Sequence, residues 1–270
     1  MKAASDFLKK VHDGLYDRAS VKADIEQTVS MGNQQFQVTG QYLTSGQKLR
    51  LEYKIQPEQG IAGSLLEVCD GKELWSMLKV GEATRVTHRD VQQIKAAAAG
   101  SRNVPDVVLT AELGLGGLTA LLASLERTMV FDAIKEESTD EGPRTVIQGK
   151  WKPEIIARWP RSKDDLLPNY VPDLVRLWVD PATMFPVRIA YLKKVIEKDK
   201  KVFRAMVSLK FRNVEFDGAV GEQDFTFETP DNVVPEDITR HFLDRMKKID
   251  EDAAAADKSA TGAASGKPPQ

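Results

Sequence analysis

The chain has 270 residues, 41% of them hydrophobic and 29% charged, and a formal net charge of −2. Those proportions exclude the low-hydrophobicity disordered class, and the length suits one large β-rich domain or two smaller ones. A charge this near zero, with acids and bases interspersed, gives no global pull toward nucleic acid or an anionic membrane.

The opening residues "MKAASDFLKK" carry no apolar run of the secretory-signal kind, and no stretch reaches the roughly 18 uninterrupted apolar residues of a membrane helix. From Asp6 to about Arg18, Phe7, Leu8, Val11 and Leu15 recur at helical spacing and predict an amphipathic helix. Strands follow. "QQFQVTGQYLT" sets Phe36, Val38 and Tyr42 against polar neighbours. In "QKLRLEYKI", Leu49, Leu51, Tyr53 and Ile55 face one way, and Lys48, Arg50, Glu52 and Lys54 the other. That is the period-2 pattern of an antiparallel sheet with one wet face.

"LLEVCDGKELWSM" predicts a hairpin turning at Asp70-Gly71, a favoured two-residue turn. Pairing Cys69 with Lys72 sets Val68 against Glu73, Leu66 against Trp75 and Ser64 against Met77. Leu66, Val68, Trp75 and Met77 then share one apolar face. The single cysteine, Cys69, has no intramolecular partner and reads as a small strand residue.

Residues 82–126 change character. "HRDVQQIKAAAAG" predicts a short helix stopped at Gly100. "LGLGGLTALLASLERT" predicts a hinge at Gly114, Gly116 and Gly117 leading into a helix with Leu118, Leu121, Leu122 and Leu125. Strand patterns resume in "TMVFDAIKEE", "RTVIQGKW", "DLVRLWVD", "FPVRIAYLKK", "KVFRAMVSLKFRNVEF" and "DFTFETP". A proline-bearing insertion at 152–172 carries a short helix near Glu154 to Trp159, and a last helix spans about Pro235 to Ile249. The organisation is one domain over 1–249 and a small-residue tail at 250–270 whose composition reads as disordered.

Catalytic signatures are missing. "GLGGLT" lacks the third glycine of a dinucleotide fingerprint, and His12, His88 and His241 stand apart with no metal-ligand spacing. No P-loop and no G-x-S-x-G elbow occurs, and Asp164-Asp165 reads as a solvated loop pair. The basic side of "VFRAMVSLKFRNVEF" reads as a wet sheet face, so no nucleic-acid partner, cofactor or metal is expected. About ten antiparallel strands with leucine-rich helices to cover them predict an α+β, mostly β fold. Its form is an incomplete, half-open barrel with helices over a concave apolar face.

Two segments resemble the LolA/LolB-type family of periplasmic lipoprotein carriers. One is "VCDGKELW" following "KLRLEYKIQP"; the other is "FDGAVGEQDFTFETPDNVVPED", Phe216 to Asp237, which resembles the family's closing hairpin. The resemblance covers about Asp6 to Asp237. It implies a non-enzymatic, monomeric periplasmic carrier that binds lipid or lipoprotein acyl chains and exchanges them with a membrane-associated donor or acceptor. The implied lining is Phe36, Val38, Tyr42, Leu49, Leu51, Tyr53, Leu66, Val68, Trp75 and Met77, and the implied lid is Leu115 to Leu125. The family's lid-latching arginine falls at about Ser45, so that latch does not carry over; nor is there the lipidated N-terminal cysteine of the LolB-type branch. The alternatives are the same fold used as a periplasmic sensor or regulator that binds a protein partner and, third, an enzyme of unrecognised type, against which the missing catalytic motifs count.

Overall fold

A computed structural model describes residues 2–31, 34–57, 62–100, 117–157, 159, 161–162, 166–197, 200–248 and 250–251. Helix α1 (Lys2–Tyr16) begins earlier than the apolar pattern suggests and buries Ala4, Leu8, Val11 and Leu15 on one stripe. Six strands follow: β1 (Val21–Met31), β2 (Gln34–Ser45), β3 (Lys48–Pro57), β4 (Gly63–Cys69), β5 (Glu73–Val80) and β6 (Ala83–Asp90). Two helices, α2 (Val91–Gly100) and α3 (Gly117–Thr128), precede β7 (Met129–Thr139) and β8 (Gly142–Trp151). After the short α4 (Pro153–Ile156) come β9 (Leu174–Val179), β10 (Pro186–Glu197) and β11 (Lys200–Phe216). The chain closes with a 3-10 turn (Glu222–Phe225), β12 (Glu236–Asp237) and a helix α5 over 239–248.

All strands form one 12-stranded, unclosed sheet in the order β12-β6-β5-β4-β3-β2-β1-β11-β10-β9-β8-β7. Every pairing is antiparallel except β12 with β6. Leu74 of β5 and Phe131 of β7 belong to a single core cluster. A flat sheet would hold those strands about 43 Å apart at the usual strand spacing, so the sheet must curve round its helices. Bulges help bend it. One lies between Lys22 and Asp24, opposite Asn213, whose left-handed φ of 50° is held by a 2.7 Å bond from its Nδ2 to Asp24 Oδ2. Gly40 in β2 approaches β3 so closely that a Cβ there would lie 1.7 Å from the Glu52 carbonyl oxygen.

The sheet's edges differ. The two-residue β12 pairs with β6 at Thr87 and His88, two of that strand's eight residues. β7 forms the other edge and carries Asp132, Lys135, Glu136 and Glu137.

The described part of the 152–172 insertion is pinned to the sheet by polar contacts. Buried Lys193 donates its Nζ protons to the carbonyls of Leu167, Pro168 and Val171 at 2.8, 2.9 and 2.9 Å, with Asp173 Oδ2 3.3 Å away. Trp151 Nε1 donates to the Pro172 carbonyl, and Trp159 packs edge-on against Trp151.

Several expectations need correction. "ATRVTHRD" is strand β6, although its alternation is too polar to read as one. "DFTFETP" is a 3-10 turn and an extended strap, and "FDGAVGEQDFTFETPDNVVPED" makes no closing hairpin. The β4–β5 turn is longer than two residues. The Asp70 carboxylate accepts the amides of Lys72 and Glu73 at 2.8 and 2.9 Å, withdrawing them from a tight turn. Cys69 therefore pairs with Leu74, Val68 with Trp75 and Leu66 with Met77. This even-numbered slip keeps the expected residues on a shared face. Asp164-Asp165 and the tail from residue 252 lie outside the described residues.

A covered apolar hollow as the candidate functional site

The concave face follows from cross-strand register, because residues directly opposite share a face. One row runs Leu177–Ile189–Leu209–Gln27–Val38–Ile55, from β9 to β3. A second runs Phe211–Ile25–Gly40–Tyr53–Leu65–Leu78, from β11 to β5. Leu49, Leu51 and Tyr42 lie on this same side and are almost wholly buried, while Phe36 and Val38 are half-buried toward its far end. Six of the sequence-predicted lining residues, Phe36, Val38, Tyr42, Leu49, Leu51 and Tyr53, therefore lie on the concave face; Tyr42, Leu49, Leu51 and Tyr53 sit in the main core cluster, with Val38 packed against it. Arg50 lies outside, bonded to Glu52.

The other four do not join them. Arg50 pairs with Val68 and Glu52 with Leu66, which places Leu66, Val68, Trp75 and Met77 on the convex face. Both faces of the β4–β5 hairpin are apolar, and the convex one has its own cover. Trp75 is stacked between His88, at 4.5 Å between centroids, and Phe227 of the C-terminal strap, at 5.2 Å. Lys48 pairs with Glu222 of the same strap, and Phe225 is buried beneath it. Trp75→Ala should therefore cost about 2–3 kcal/mol of stability and expose residues 222–230 to protease, while leaving acyl uptake by the folded fraction unchanged. Denaturant melts with a parallel uptake assay check this; uptake that falls in step with Trp75 removal would put the ring in the hollow.

The concave cover is α1 and α3. Helix α1 packs on β7, β8 and α3. Helix α3 turns Leu118, Leu121, Leu122 and Leu125 into the core, all buried. Leu115, Gly114 and Gly116 lie outside the described residues. Gly117 takes a left-handed φ of 63°, and a Cβ there would lie 2.7 Å from Tyr42 Oη. The close approach lets the Leu118 amide donate to Tyr42 Oη at 3.1 Å. Thus a neutral phenol in the floor of the hollow holds the first turn of α3. Burial pushes the Tyr42 hydroxyl up to about 12, with the Leu118 amide and Thr44 opposing.

A polar cluster interrupts the apolar lining at β3–β6. Leu51 pairs with Glu67, Glu67 with Ser76 and Ser76 with Thr87, all on the concave side. Ser76 Oγ donates to Glu67 Oε1 at 3.1 Å, and an Arg89 guanidinium nitrogen lies 3.5 Å from the same oxygen. The Arg89 guanidinium also sits 5.0 Å over the Phe242 ring of α5. Sequence reasoning missed this cluster. Glu67 alternates with Leu65 and Cys69, which was a visible signal, but its partner Arg89 lies on a strand whose pattern did not announce itself.

Among the described residues, no three His, Cys, Asp or Glu side chains gather to hold a metal ion, and no helix is long and apolar enough to cross a membrane. The Cys69 thiol is buried, and burial raises its pKa.

No protein-family model matches the sequence, and no curated protein matches it. Solved structures do. A DUF1329 family protein from Desulfovibrio piger is 10% identical, with 83% of this chain and 96% of that chain covered and a TM-score of 0.38. A putative outer membrane lipoprotein-sorting protein domain from Vibrio parahaemolyticus is 14% identical, covering 82% and 95%, at 0.33. The Mycobacterium tuberculosis lipoprotein LppX is 13% identical, covering 82% and 98%, at 0.41. At such identities none of these bears on what this chain binds.

Proposed function

We propose that the chain is a non-enzymatic, extracytoplasmic carrier that takes an acyl chain of a lipid or lipoprotein into the concave hollow. The observation that carries the reading is the largely apolar rows running in register from β9 to β5, with a leucine-rich helix tied to the same face through Tyr42. The acyl chain takes the place of the α3 leucines. Phe36, Val38, Tyr42, Leu49, Leu51 and Tyr53 line the hollow; Leu118, Leu121, Leu122 and Leu125 form the lid; and Gly117 is its pivot.

Transfer of a 16-carbon chain from water is worth roughly 12 kcal/mol as an upper bound, at about 0.8 kcal/mol per CH₂. Helix α3 must first leave the same apolar surface. That competition lowers the net affinity and allows the cargo to be released.

The test is uptake of a fluorescent palmitoyl probe by delipidated protein, with hydrogen exchange read over residues 118–125. The expected result is saturable uptake, with exchange in this segment changing on binding while β3 and β9 stay protected. Tyr42→Phe removes the acceptor for the Leu118 amide and should speed exchange there roughly tenfold, for a lost bond of about 1.4 kcal/mol. Strand-like protection of α3 with and without the probe would leave a solid core and end the lid reading. Binding to a protein partner with no acyl uptake would favour the sensor.

A further inference from the structure

Tyr53 stands out in the hollow. It pairs across the sheet with Gly40 and Leu65 in the concave row, and the residue is only 9% exposed. Its hydroxyl is buried and has no hydrogen-bond partner among the described residues. Tyr42, by contrast, uses its hydroxyl to hold α3. Buried hydroxyls in folded proteins almost always find a partner, because leaving one unmade destabilises the fold. A phenylalanine would fill the same space without that penalty. Here the unpaired donor projects into the surface that the preceding reading assigns to an acyl chain, beside the only polar cluster described on that part of the lining.

From this we infer that the Tyr53 hydroxyl is the polar anchor of the hollow, donating to a neutral carbonyl oxygen, the ester or amide of an acylated ligand, in preference to a free carboxylate. The inference rests on the acyl-binding reading and deepens it. The preference for a neutral acceptor comes from the surroundings. The Glu67 carboxylate lies close enough to help burial raise the Tyr53 pKa, so its negative potential reaches the phenol. Arg89 lies against that same carboxylate and the Phe242 ring. A second carboxylate would meet the field of Glu67, whereas an ester oxygen accepts the phenol proton without adding charge.

The experiment compares a fluorescent diacylglycerol with its dialkyl-ether analogue, which lacks the two carbonyls, and with the matching free fatty acid. Wild-type protein should bind the diacylglycerol roughly tenfold more tightly than the ether. Tyr53→Phe should abolish that difference by weakening the diacylglycerol about tenfold and the ether less than twofold. The unliganded variant should melt about 2 °C or more above wild type, because an unmade hydrogen bond has been removed. Equal binding of ester and ether by wild type, or an ester preference that survives in Tyr53→Phe, overturns the anchor and leaves the acyl-binding reading intact. A free acid bound better than the diacylglycerol overturns the preference for a neutral carbonyl. Failure of wild type to bind any of the three overturns both.

Discussion

Valine at position 40 should leave the chain without a stable folded state. A Cβ at Gly40 would lie 1.7 Å from the Glu52 carbonyl oxygen, 2.8 Å from its carbonyl carbon and 3.1 Å from Tyr53 Cα. These are backbone atoms of the neighbouring strand, so no rotamer change relieves the contact. The β2–β3 ladder would have to part where Gly40 pairs with Tyr53, in the middle of a concave row. Ordinary overpacking costs about 1–3 kcal/mol because side chains can give way. A clash against backbone should exceed about 4 kcal/mol, a large share of the roughly 5–15 kcal/mol that holds a domain together. Thermal and denaturant melts of Gly40→Val and Gly40→Ala check this, with Gly218→Ala as control, since nothing lies within 4 Å of a Cβ there. A Gly40→Val protein melting within a few degrees of wild type would show that the strands separate cheaply.

Lys193→Met should unpin the described part of the insertion and cost about 3 kcal/mol. The ammonium group carries three donors, and the carbonyls of Leu167, Pro168 and Val171 accept from them. Asp173 supplies the opposing charge at 3.3 Å while also accepting the Lys194 amide at 2.6 Å. Methionine keeps the stem and removes every donor, so three carbonyls lose their partner at once and a largely buried carboxylate loses its countercharge. Limited proteolysis should cut at 166–172 in the variant before the strands unfold, and the denaturant midpoint should fall. Unchanged proteolysis and stability would mean that Trp151 and its bond to Pro172 suffice to hold the segment.

How much of this was legible depended on how each signal is encoded. "QKLRLEYKI" assigned its faces correctly because only one side of β3 is apolar: Leu49, Leu51 and Tyr53 went inside and Arg50 outside. The β4–β5 hairpin has apolar residues on both faces, so alternation could say which residues stand together but not which side is concave. Trp75 drew the inward assignment because it shares an apolar face with Leu66, Val68 and Met77 that the resemblance placed in the lining, yet its cover is Phe227, some 150 residues later in the chain. No local pattern encodes that contact. Strand β6 was hidden for the opposite reason. Arg85, Thr87 and Arg89 share the concave side, and Arg89 is buried where Glu67 and Phe242 meet it. Helix α3 was visible because its leucines recur at helical spacing, while its tie to Tyr42 is a tertiary contact that no spacing reveals.

The unequal edges of the sheet bear on how copies of the molecule could join. Growth of a ribbon by strand addition requires two vacant borders on each unit, one to give and one to receive. Among the described residues, β12 lies along β6 at Thr87 and His88, whereas β7 has a strand partner on one side, β8. Two copies meeting there would join about a twofold axis, β7 against β7, and the union would consume the vacancy on both. A union of β7 with β7 therefore stops at a pair, because it spends the same edge of both copies.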